Sequence, residues 1–109
     1  MIAIEMYRAG IMQLCEKNKA VNKLYFFGSA LTSRFNEASS DVDVLVETKD
    51  MAPEEKGEQL IAFWDGLEAL FDRRVDLLTE DSLHNPFLRK EIDETKKLFY
   101  DGQSKQVFI

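Results

Sequence analysis

Three carboxylates and a Gly-Ser step are the residues of this chain whose spacing could do chemistry. Asp41 and Asp43 open an apolar stretch, DVDVLVE, and Asp76 stands inside a second one, RRVDLLTE. Carboxylates two apart on a strand point to the same side, with Cα atoms about 6.5 Å apart. Like charges so placed repel, and each raises the other's pKa. A divalent cation removes the conflict. Mg²⁺ takes oxygen ligands at about 2.0–2.1 Å and keeps positions open for substrate phosphates. An isolated Asp-x-Asp is more often a pair of solvated side chains at a strand start, so the neighbouring residues decide its meaning.

Gly28 closes the aromatic run LYFFG and permits a tight turn or a close ligand approach. Ser29 suits the N-cap of a short helical turn from Ala30 to Arg34. The free N–H groups at such a helix start favour phosphate. Ser40 stands just before the Asp pair, where it caps the turn or orients Asp41. If RRVDLLTE lies beside DVDVLVE, alternation lets Asp76 join Asp41 and Asp43 in one cluster. Three carboxylates beside a phosphate cradle suit two divalent ions about 3.5–4 Å apart. Asp76 is then the candidate general base.

The elements that must position these groups follow from periodicity. Ile4, Tyr7, Ile11 and Leu14 recur at helical spacing within residues 2–19. Leu24 to Gly28 reads as a buried strand, and Asp41 to Glu47 as a second, with Val42, Val44 and Val46 on one face and Asp41, Asp43 and Leu45 on the other. Residues 53–71 carry the strongest helical stripe: Leu60, Phe63, Trp64, Leu67, Leu70 and Phe71, all expected in the core. Arg73 to Glu80 is the third strand. Asn85-Pro86 opens a last helix running to about Lys97. Leu98 to Gly102 is expected as an edge strand, and residues 103–109 as a loose polar tail. Cys15 is expected as a small core residue. The order predicts an α/β (α+β) fold, a small mixed sheet flanked by helices, in one domain spanning residues 1–109.

Composition excludes several classes. The chain has 109 residues, with 14 Lys+Arg against 20 Asp+Glu and a net charge of −6. That balance argues against a nucleic-acid substrate, which demands clustered positive charge. A single cysteine excludes an internal disulfide. No apolar run approaches the ~18 residues of a membrane span, and the N-terminus has no basic region leading into an apolar one. A cytoplasmic location is the expectation.

Gly28-Ser29, eleven intervening residues, Asp41-Val42-Asp43 and the later Asp76 resemble the signature of the polymerase-beta-type nucleotidyltransferases. At this length the chain is similar to the minimal nucleotidyltransferases, small stand-alone domains paired with HEPN-domain proteins in toxin–antitoxin modules. The resemblance implies that Asp41, Asp43 and Asp76 are catalytic and bind Mg²⁺, one or two ions, with Mn²⁺ as an alternative. It implies that Gly28 and Ser29 hold the nucleotide phosphates, with Arg34 and Ser40 beside them. It further implies transfer of a nucleoside monophosphate, AMP from ATP or another NTP, to a hydroxyl on a HEPN-domain partner. Many relatives carry a basic residue close behind Gly-Ser. Here Ala30, Leu31 and Thr32 fill those places, and the arginine arrives at Arg34. That departure keeps open a non-catalytic antitoxin that only sequesters its partner. A small-molecule acceptor is the remaining enzymatic alternative, disfavoured because 109 residues leave no room for an acceptor-gripping domain. So small a domain needs a partner, or a second copy of itself, to enclose a substrate.

Overall fold

The computed structural model describes residues 4–28 and 41–103, and the backbone of 106 and 107. The chain runs α1 (Ile4–Lys17), β1 (Val21–Phe27), β2 (Val42–Thr48), α2 (Pro53–Phe71), β3 (Val75–Thr79), a 3₁₀ turn (Glu80–Ser82), α3 (Pro86–Thr95), β4 (Lys97–Asp101) and β5 (Gln106–Val107). The strands form one mixed sheet in the order β3-β2-β1-β4-β5. β2 and β3 are parallel, joined by the α2 crossover, and the other pairs are antiparallel. The expected mixed sheet flanked by helices is the fold observed.

Alternation along β2 gives the sheet its two faces. Val42, Val44 and Val46 pack with Ile11 and Cys15 of α1 and Phe63, Leu67 and Phe71 of α2. Phe26 anchors this core, with edge-to-face contacts to Phe71 and Phe99 at ring-centroid distances of 6.4 and 5.7 Å. Burial raises the Cys15 thiol pKa to about 12, with the Glu16 charge adding to the effect, so the thiol is an inert core residue. On the opposite face Leu45 and Phe27 pack with Leu83 and with Ile92 of α3. Among the described residues, two helices thus cover one face and a single short helix the other.

Helix boundaries follow their caps. Pro53 begins α2, with Glu54 and Glu55 in its first turn, where they favour the helix dipole. Asn85 caps α3, its Oδ1 accepting from the N–H groups of Phe87 at 2.9 Å and Leu88 at 3.3 Å. The α1–α2 crossing is built on two glycines. A Cβ on Gly66 would lie 2.6 Å from Leu14 Cδ2, and one on Gly10 would lie 2.6 Å from Leu70 Cδ1. Gly66 therefore admits a leucine at some cost in helix propensity. Gly66→Ala is expected to change stability by less than about 1 kcal/mol, because regained propensity offsets a shift of the Leu14 tip. Gly66→Val adds volume and a β-branch, and should cost about 2–3 kcal/mol in urea denaturation.

Three expectations change. β1 begins at Val21, three residues early, because a bulge between Val21 and Lys23 absorbs the polar Asn22. Leu98–Asp101 is not at the edge: β4 lies between β1 and β5. Within the expected loose tail, Gln106 and Val107 instead form β5, Val107 opposite Tyr100 and Gln106 opposite Asp101.

Candidate functional site

The site is assembled where three strand ends meet. In the parallel ladder Asp43 stands directly opposite Asp76, at the starts of β2 and β3. β1 runs the other way, so its last residue, Phe27, pairs with Asp43 and delivers Gly28 beside it. Adjacent strands lie about 4.8 Å apart, so the two carboxylates share one face of the sheet at close quarters. Asp43 is half-buried and Asp76 is exposed. Asp76 makes no ion pair among the described residues, although Arg74 stands two residues before it.

Gly28 has φ +68°, a conformation that favours glycine. A Cβ there would collide with Asp43 Oδ2 and lie 3.3 Å from Asp43 Cγ. The close approach the sequence suggests at Gly28 is thus made by Asp43 itself, whose carboxylate occupies the space of the missing side chain. A shallow cavity of about 380 Å³ opens over the pair, lined by Phe27, Asp43, Trp64, Arg74, Asp76 and Leu78.

Asp41 is half-buried and immediately precedes β2, outside the ladder. The N–H of Val42 donates to Arg74 O at 3.0 Å, which ties the starts of β2 and β3 together. Among the described residues, no three His, Cys, Asp or Glu side chains are gathered as a metal site. What the structure brings together is Asp43 and Asp76 with Gly28. Two facing carboxylates are hard oxygen donors of the type Mg²⁺ takes, and a divalent ion between them would relieve their repulsion. Ser29, Arg34 and Ser40, and the turn expected at Ala30 to Arg34, lie outside the described residues.

Trp64 departs from its expected place in the core. It is 42% exposed, and its indole Nε1–H donates to the carbonyl of Val75 at 2.7 Å. One turn on, Glu68 Oε2 accepts the N–H of the same Val75 at 2.9 Å. The apolar stripe alone suggested burial. The clue was chemical: an indole N–H near a core needs an acceptor, and an edge-strand carbonyl supplies one. Arg74, expected inside the third strand, instead directly precedes β3 and lines the cavity, and no sequence signal separates such an arginine from a solvated one.

Residues 10–99 match the nucleotidyltransferase domain family. A "putative protein adenylyltransferase" of Methanocaldococcus jannaschii is 34% identical over 90 residues, which cover 83% of this chain and 87% of that protein. The solved structure of a "putative minimal nucleotidyltransferase" superposes with a TM-score of 0.61 at 26% identity, covering 86% of this chain and 90% of the other. A tri-AMPylated HEPN toxin of Shewanella oneidensis in complex with its MNT antitoxin gives a TM-score of 0.57 at 21% identity, covering 92% of this chain and 74% of the matched one, a likeness of fold. With the family match spanning most of the chain, and the paired carboxylates beside Gly28, this chain belongs to the nucleotidyltransferase domain family and is a nucleotidyltransferase of the minimal type.

Proposed function

We propose that this protein transfers AMP from ATP to a hydroxyl on a HEPN-domain partner, acting as the antitoxin of a toxin–antitoxin pair. The observation that carries the reading is the register of Asp43 opposite Asp76 with Gly28 packed against Asp43. The M. jannaschii relative's name and the AMPylated HEPN toxin in the S. oneidensis complex support the donor and the partner.

In the proposed reaction Asp41, Asp43 and Asp76 would hold Mg²⁺. When bound, the ion neutralises charge on the triphosphate and lowers the pKa of the acceptor hydroxyl. Gly28 and Ser29 would bind phosphate through backbone N–H groups, with Arg34 and Ser40 flanking. Asp76 would accept the proton of the acceptor hydroxyl. The acceptor oxygen then bonds to the α-phosphorus, the bond from that phosphorus to the bridging oxygen breaks, and pyrophosphate leaves.

The test is incubation with ATP labelled at the α-phosphate, Mg²⁺ and the co-purified partner. Wild type is expected to label the partner, and Asp43→Asn to label it at least about a hundredfold more slowly, since a preorganised charged group is being removed. Equal labelling by the two proteins sinks the proposal.

A further inference from the structure

We propose that Trp64 and Glu68 are positioning residues that set the Asp76 carboxylate through the backbone of Val75, an inference that rests on Asp76 belonging to the transfer site. β3 is the edge of the sheet on the site's side. An edge strand presents backbone groups that have no strand to pair with, and its first residues are the easiest to fray. At Val75 both outward groups are taken by α2. Trp64 Nε1 donates to the carbonyl at 2.7 Å, and Glu68 Oε2 accepts the N–H at 2.9 Å. The i, i+4 spacing puts both side chains on one face of α2, so a single rigid helix holds both ends of one residue.

The strand start is also held from its other side, where Val42 N–H donates to Arg74 O at 3.0 Å. Asp76 follows directly. Its exposed side chain makes no hydrogen bond or ion pair among the described residues, so its position is inherited from the backbone of β3, which β2 holds on one side and α2 holds at Val75 on the other. A general base must stand within about 2.6–3.2 Å of the proton it takes. A misplacement of about 1 Å can cost roughly a hundredfold in rate. The full ligation of Val75 is therefore worth more than closing an edge. It fixes the backbone directly before the residue that carries the carboxylate.

The experiment compares Glu68→Ala, Glu68→Gln and Trp64→Phe in the full chain with its partner. Three quantities are read: kcat, KM for ATP, and the affinity for Mn²⁺ alone by electron paramagnetic resonance. Glu68→Ala and Trp64→Phe are expected to lose roughly tenfold or more in kcat, with KM for ATP within about twofold of wild type and Mn²⁺ bound several-fold more weakly. Glu68→Gln should recover both kcat and Mn²⁺ affinity, because its amide oxygen still accepts the Val75 N–H. Wild-type kcat and Mn²⁺ affinity in Glu68→Ala overturn the inference. So does a Glu68→Gln variant as impaired as Glu68→Ala, or a loss that only tracks the unfolded fraction measured by circular dichroism. If wild type transfers no nucleotide, the transfer reading fails and the Mn²⁺ arm still decides. Weakened binding in Glu68→Ala restored in Glu68→Gln supports the positioning role, and identical or absent binding throughout overturns it.

Discussion

Asp76→Asn is expected to abolish transfer while leaving the metal-free protein at least as stable as wild type. The side chain is exposed, forms no ion pair among the described residues, and faces Asp43 across the parallel ladder. Removing one of two like charges placed directly opposite each other gains on the order of 0.2–1 kcal/mol. The same removal takes away the candidate base and one candidate metal ligand, and should cost at least about a hundredfold in transfer. The measurements are urea denaturation in EDTA and single-turnover labelling. Mg²⁺ should raise the wild-type melting temperature by mass action and leave the variant's nearly unchanged. Loss of stability without loss of transfer would mean that Asp76 is a structural carboxylate.

Gly28→Ala is expected to damage stability and activity together. At φ +68° a Cβ costs about 1–2 kcal/mol of backbone strain. It also collides with the Asp43 carboxylate, which must leave its place beside Gly28 and so loses its set position relative to Asp76. A loss of about 1–3 kcal/mol and at least tenfold in transfer follows. A double-mutant cycle with Asp43→Ala separates the two costs. Truncating Asp43 removes the collision and leaves the strain, so the double variant should be more stable than the sum of the singles predicts, by about 1 kcal/mol. Strict additivity would show that the two residues do not press on each other in solution.

Much of this arrangement was legible in the sequence because local pattern and global packing agree there. The stripe from Leu60 to Phe71 is closed at its start by Pro53, and α2 spans Pro53–Phe71 as expected. The valines of DVDVLVE fix its face, and that parity puts Asp43 and Leu45 on the side away from α1 and α2. Val75 and Leu77 set the parity that turns Asp76 outward. What stayed hidden depends on long-range pairing. The two residues of β5 carry no periodicity, and only the return of the chain onto Tyr100 and Asp101 makes them a strand. The bulge in β1 is a property of its pairing with β2. Trp64 fits the apolar stripe, and its place at the β3 edge follows from Val75, eleven residues on. Gly28 was legible as a glycine that something approaches, but the approaching group, Asp43, could be named only once the strands were paired.

The lone tryptophan also gives the molecule an optical property. Trp64 is half in water, lines the cavity with Asp43 and Asp76, and has its ring nitrogen fixed to Val75. Indole emission shifts with local polarity and is quenched by nearby groups, so the fluorescence of the unlabelled protein reports on one location. That location is the rim of the carboxylate pair, and arrivals and departures there can be timed in a stopped-flow instrument without a dye or a modified nucleotide.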